Sequence, residues 1–112
     1  MLVVNRFQIE ESADSERRFV ERAHAALTAL ADREGFVRGR LGRAADDPRR
    51  WCLVTEWRSV GAYRRALSGY DVKLHATPLL AEAADEPSAY EVLAATDGDG
   101  IVVSGSDRAP GV

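Results

Sequence analysis

The chain has 112 residues, 46% of them hydrophobic and 29% charged, with a formal net charge of −3. This is enough for one domain with a buried core, and too little for two. The mild acidity excludes the basic footprint that nucleic acid or an anionic membrane demands, no apolar run nears the roughly 20 residues of a membrane span, and the lone cysteine, Cys52, excludes an internal disulfide or a cysteine zinc cage.

The chain starts directly on a strand pattern, with no basic-then-apolar leader, so no signal peptide is expected and the cytoplasm is the default location. Residues 2–10 alternate as a strand, with Val3, Asn5, Phe7 and Ile9 on one face and Leu2, Val4, Arg6 and Gln8 on the other. Asn5 is the only polar side chain in its row. An amide buried without partners costs roughly 1–3 kcal/mol. Asn5 therefore completes a hydrogen-bond network, caps a bulge or faces a ligand.

ESADSERRFVERAHAALTALADREG follows, with Phe19, Val20, Ala23, Ala26, Leu27, Leu30 and Ala31 at helical spacing. Ser12 or Ser15 caps its start, Asp14 and Glu16 suit the positive end of its dipole, and Gly35 ends it. His24 flanks the apolar stripe and reads as a surface histidine. FVRGRLGRA (36–44) and WCLVTEW (51–57) form a hairpin across DDPRR, a polar turn centred on Pro48. Ser59 then caps a shorter helix that runs to about Leu67, with Tyr63, Ala66 and Leu67 on one side. SGYD breaks it, and DVKLHATPLLAEAA continues as an irregular or helical stretch interrupted at Pro78. SAYEVLA (88–94) is the last strand.

The sum is an α+β protein: a ferredoxin-like, split βαβ domain over residues 1–94 with an antiparallel sheet. Residues 95–112 form a glycine-rich tail expected to be linker or disorder, although GIVVSG within it suits an extra edge strand, on this chain or on a partner. In such a fold the helices cover one face of the sheet. The third strand is apolar on both faces (Trp51, Leu53, Thr55, Trp57 and Cys52, Val54, Glu56), and the first strand adds Leu2 and Val4 to the uncovered one. A homodimer that packs sheet on sheet would bury that spare face.

No dinucleotide loop, phosphate loop, zinc-protease or serine-hydrolase motif occurs. His75, just after a helix break, suits a general base or a metal or haem ligand, or a histidine packed on the sheet. Arg38, Arg40 and Arg43 pair with a ligand carboxylate, or with acidic neighbours such as Asp46 and Asp47. Trp57 reads as a core anchor and pocket wall, and Tyr63 and Tyr70 read as pocket liners.

NRFQI at the front, EGFV after the long helix, LVTEWRSVGAYRRAL, and then H-A before DEPSAYEVL resemble the antibiotic biosynthesis monooxygenase (ABM) superfamily over about residues 2–94. The resemblance implies dimeric α/β barrels of ferredoxin-like protomers. One branch holds cofactor-independent oxygenases, in which a deprotonated anthrone or quinol reacts directly with dioxygen. A second holds IsdG-type haem-degrading monooxygenases, whose site combines an Asn on the first strand, a Trp on the second helix and an iron-ligating His. Carried over, these positions fall on Asn5, Ala66 and His75. Alanine in place of the indole counts against haem degradation more than against haem binding.

The expected function is accordingly a monooxygenase without cofactor, oxidising a quinol-like or polycyclic aromatic compound. His75 is its base, Asn5 the donor to the substrate oxygen, and Trp57, Tyr63, Ala66 and Tyr70 the substrate-binding residues. The alternatives are a haem protein with His75 as axial ligand, and a non-enzymatic dimeric binding module.

Overall fold

Alternation along the two central strands decides the architecture. The computed structural model describes residues 1–105. In β1 (Leu2–Gln8), Val3, Asn5 and Phe7 are buried while Arg6 and Gln8 are exposed. In β3 (Asp47–Trp57), Trp51, Leu53, Thr55 and Trp57 are buried and alternate with half-buried Cys52, Val54 and Glu56. The strands pair antiparallel with Val3 opposite Thr55, Asn5 opposite Leu53 and Phe7 opposite Trp51, so one face of each joins a single core. β2 (Phe36–Ala44) borders β3, and β4 (Ala89–Tyr90) borders β1, giving the sheet order β2-β3-β1-β4. This is the antiparallel ferredoxin-like arrangement the sequence predicts.

Helix α1 (Ala13–Ala31) starts where Ser12 Oγ accepts the backbone N–H of Ser15 at 3.0 Å, and its buried stripe is Phe19, Ala23, Ala26, Ala29 and Leu30. The turn into β2 needs Gly35. Its φ is +89°, and a Cβ there would lie 2.4 Å from the Cβ of Ala62. In α2 (Val60–Leu67), Ser59 Oγ caps Ala62 N at 3.0 Å. The following stretch is helical in two pieces, α3 (Tyr70–His75) and α4 (Thr77–Leu80). Their break falls at Ala76 rather than at Pro78. The proline sits in the first turn of α4, where its missing N–H has no helical acceptor to lose.

Two other expectations are corrected. The hairpin turn is Ala45–Asp46, and Pro48 lies within β3, at the point where pairing with β2 jumps from Arg43–Trp51 to Ala44–Asp47. That irregularity asks no ladder N–H of the proline. The last strand is only Ala89–Tyr90, paired with Val3 and Leu2, because an antiparallel partner running past Tyr90 outruns the start of β1. The chain instead forms a separate hairpin of β5 (Ala94–Ala95) and β6 (Val102–Val103). The GIVVSG segment therefore pairs within its own chain, while tail residues 106–112 lie outside the described residues.

Candidate functional site

Cross-strand rows make up the helix-facing side of the sheet. At one end Trp57 lies opposite Phe36; then come Val3, Thr55 and Gly39; then Asn5, Leu53 and Leu41; and at the far end Phe7, Trp51 and Arg43. Aromatic clusters close both ends. Trp57 meets Phe36 edge-on, with ring centroids 5.3 Å apart, and Tyr63 of α2 at 5.4 Å. Phe19 meets Phe7 at 5.2 Å and Trp51 at 5.4 Å. Such contacts add about 0.5–1.5 kcal/mol each beyond simple burial, so the two ends are the firm parts of the core.

The two buried polar side chains among the described residues, Asn5 and Thr55, occupy the rows between these clusters. Asn5 is 8% exposed and makes no side-chain hydrogen bond among the described residues. Yet no fully buried side-chain nitrogen or oxygen among them lacks a partner. Both facts hold only if the Asn5 amide atoms open onto space that water can reach. A desolvated amide with both its donor and its acceptor free is a ready receptor for a ligand oxygen.

The Trp57 indole is 1% exposed and donates to Thr55 Oγ1 at 2.9 Å. With that N–H committed, only the ring of Trp57 is available to a neighbour. Ala66 is fully buried on α2, beneath the same core. Tyr63 is half-buried, and burial pushes its phenol above the usual range. It is therefore protonated at neutral pH and serves as a donor or wall, not as a base.

His75 and Tyr70 lie elsewhere. Tyr70 is 78% exposed on α3. His75 is exposed and borders an open groove between α1 and α3 with Thr28, Ala29, Asp32 and Asp71; Asn5 is not part of that groove. The structure thus gathers Asn5, Trp57, Tyr63 and Ala66 on the core side of the sheet and leaves His75 and Tyr70 on the outer surface of α3. His24 is exposed on α1, as expected. Haem needs an apolar slot against its ligating imidazole. The groove at His75 is instead bordered by two carboxylates, and Ala66 stands where an indole would press on the ring. The residues present do not fit the group.

Of the three arginines on β2, Arg38 pairs with Glu56 at 3.5 Å, and Arg43 pairs with Glu16 at 2.8 Å while stacking over Trp51. Asp47 is taken instead by Arg49 and Arg50. Arg40, opposite Val54 on the uncovered face, has no ion-pair partner among the described residues. On that face a cleft of about 410 Å³ opens around Gly42 and Cys52, walled by Arg6, Arg50 and Glu86. Sequence reasoning overlooked Thr55. A threonine in a β-branched run reads as a strand former, and only the register shows it beside Asn5.

A family model described as antibiotic biosynthesis monooxygenase matches residues 1–75. No curated protein sequence matches the chain. Among solved structures, the chain is similar to SnoaB, a cofactor-independent oxygenase from Streptomyces nogalater: 28% identity over 82% of this chain and 94% of that one, with a TM-score of 0.64. A point mutant of SnoaB aligns at 29% identity over 73% and 81% of the two chains, with a TM-score of 0.63. A conserved protein from Methanosarcina mazei Go1 shares the fold at 18% identity over 79% and 84%, with a TM-score of 0.62.

Proposed function

Since the chain belongs to the antibiotic biosynthesis monooxygenase family, we propose that it is a cofactor-independent oxygenase that uses dioxygen to oxidise a quinol-like or polycyclic aromatic compound. The observation that carries this reading is the Asn5 amide, 8% exposed, without a protein partner and open to water-accessible space on the core side of the sheet. The likeness to SnoaB supports the same chemistry.

For an anthrone, removal of a proton from the activated methylene gives an anion whose charge rests largely on the ring oxygen. That anion passes electrons to dioxygen and a carbon–oxygen bond forms. Loss of water then leaves a carbonyl, so one substrate and one dioxygen give one quinone and one water. The four electrons come from the substrate carbon, and no external reductant is consumed. The protein's part is to stabilise the oxyanion in a water-poor space. Asn5 donates to the substrate oxygen, and Trp57, Tyr63 and Ala66 supply the walls. His75 is the candidate base and Tyr70 an outer contact; their exposed places on α3 make both roles separable from that of Asn5.

The functional unit in this proposal is a homodimer, with Leu2, Val4, Cys52 and Val54 of each sheet facing the partner. No helix among the described residues is long and apolar enough to cross a membrane, and the proposed partners are the aromatic substrate, dioxygen and a second copy.

Oxygen uptake by the purified chain, in chelator-treated and flavin-free buffer, with a panel of anthrones and dihydroquinones, tests the reading. Saturable uptake with one dioxygen consumed per anthrone is expected. If no compound is turned over and none raises the melting temperature, the chain is a binding module and the proposal fails. A saturable Soret band on adding haemin, lost in His75→Ala, would favour haem chemistry instead.

A further inference from the structure

Thr55 has no part in the proposed reaction as stated so far, yet it is 2% exposed and lies on the same face as Asn5, one row away on the neighbouring strand. Residues so placed on an antiparallel pair sit about 7–8 Å apart at most between backbones, within reach of one shared ligand atom. The orientation of Thr55 is fixed from two sides. Its methyl group turns toward β2, 3.5 Å from where a Gly39 Cβ would stand. Its oxygen accepts the indole N–H of Trp57 at 2.9 Å. A hydroxyl that accepts at its oxygen still carries one proton to donate. No protein acceptor for that proton occurs among the described residues, and the one other unsatisfied buried polar group on this face is the Asn5 amide.

We propose that Thr55 is a second substrate-contacting donor: its hydroxyl and the Asn5 amide converge on a single oxygen of the bound aromatic, the oxygen that becomes negative when the substrate ionises. This inference rests on the oxygenase reading above. The Trp57 N–H strengthens the donor by polarising the Thr55 oxygen in a water-poor setting. The site then selects planar aromatics whose oxygen projects from the ring edge, so that the ring packs against Trp57 while the oxygen reaches the sheet. The charged groups near this face do not compete. Arg43 is held by Glu16 at the far end, and the phenol of Tyr63 is kept protonated by burial.

Two variants and two readouts test it. Thr55→Val keeps the shape and removes both the donor and the acceptor for Trp57, whereas Thr55→Ser keeps the hydroxyl. The first readout is the visible absorbance of a bound hydroxyanthraquinone titrated with base, which reports the ionisation of the ligand oxygen without turnover. Ionisation of the bound ligand is expected about one pH unit higher in Thr55→Val, with Thr55→Ser close to wild type. The second is anthrone turnover, where kcat is expected to fall about 10–100-fold in Thr55→Val, with KM moving less. A bound-ligand titration and a kcat unchanged in Thr55→Val would overturn the inference and leave the oxygenase reading intact. A wild-type chain that binds no hydroxyanthraquinone and turns over no anthrone would overturn that reading itself. Should Thr55→Val fail to fold, Thr55→Ala and Thr55→Cys in the same titration carry the test, both expected to shift it upward.

Discussion

Asn5 shows how a single side chain departs from a pattern for a physical reason. An amide replacing a leucine in a core row gives up hydrophobic transfer energy and adds a desolvation cost, and it makes no protein hydrogen bond in return. That arrangement is sustained when water or a ligand fills the neighbouring space. Tyr63, at the edge of the same region, yields a prediction from its raised pKa. The folded chain holds the phenol proton more tightly than the unfolded chain does. Stability is therefore fully present below the unfolded-state value of about 10 and is lost as pH rises through the folded-state value. Urea denaturation across about pH 9–11 should show this decline, and Tyr63→Phe should flatten it. His75→Ala, on the open surface of α3, should leave the urea midpoint within about 0.5 kcal/mol of wild type.

At the scale of elements, the parts legible in the sequence were those written in strong periodicity. The β1 and β3 alternation, the α1 stripe, the Ser12 and Ser59 caps and Gly35 all act as read. What was not legible depended on distant partners. The length of β4 is limited by where β1 begins, Pro48 is admitted to a strand by a register jump, and β6 finds its partner in β5. The pairing of Asn5 with Thr55 is likewise a fact of register and not of spacing. Gly35 offers the sharpest element-level prediction. An alanine there takes on a positive φ and a 2.4 Å approach to Ala62, and a loss of roughly 2–4 kcal/mol is expected from the urea midpoint. Ser59→Ala should cost about 1 kcal/mol by the same measurement, because Ala62 N loses its cap.

For the whole molecule, the helices cover one face of the sheet while Leu2, Val4, Cys52 and Val54 stay half-exposed on the other. Burying an apolar face of this kind is the usual driving force for a symmetric pair. Light scattering is expected to give twice the chain mass for wild type and the single-chain mass for Val54→Asp, which places a charge in the middle of that face. A monomeric wild type would remove the dimer from the proposal without touching the Asn5 site on the opposite face.

The central claim is that the Asn5 amide faces a substrate oxygen rather than serving the fold. Oxygen uptake with the best anthrone, compared between wild type and Asn5→Ala at matched stability, tests it most directly. Turnover in Asn5→Ala is expected to fall at least about 10-fold, while the urea midpoint moves by no more than about 1 kcal/mol, since no protein hydrogen bond is lost. Unchanged oxygen uptake together with a loss of several kcal/mol in stability would contradict the account and make Asn5 a structural residue of the core.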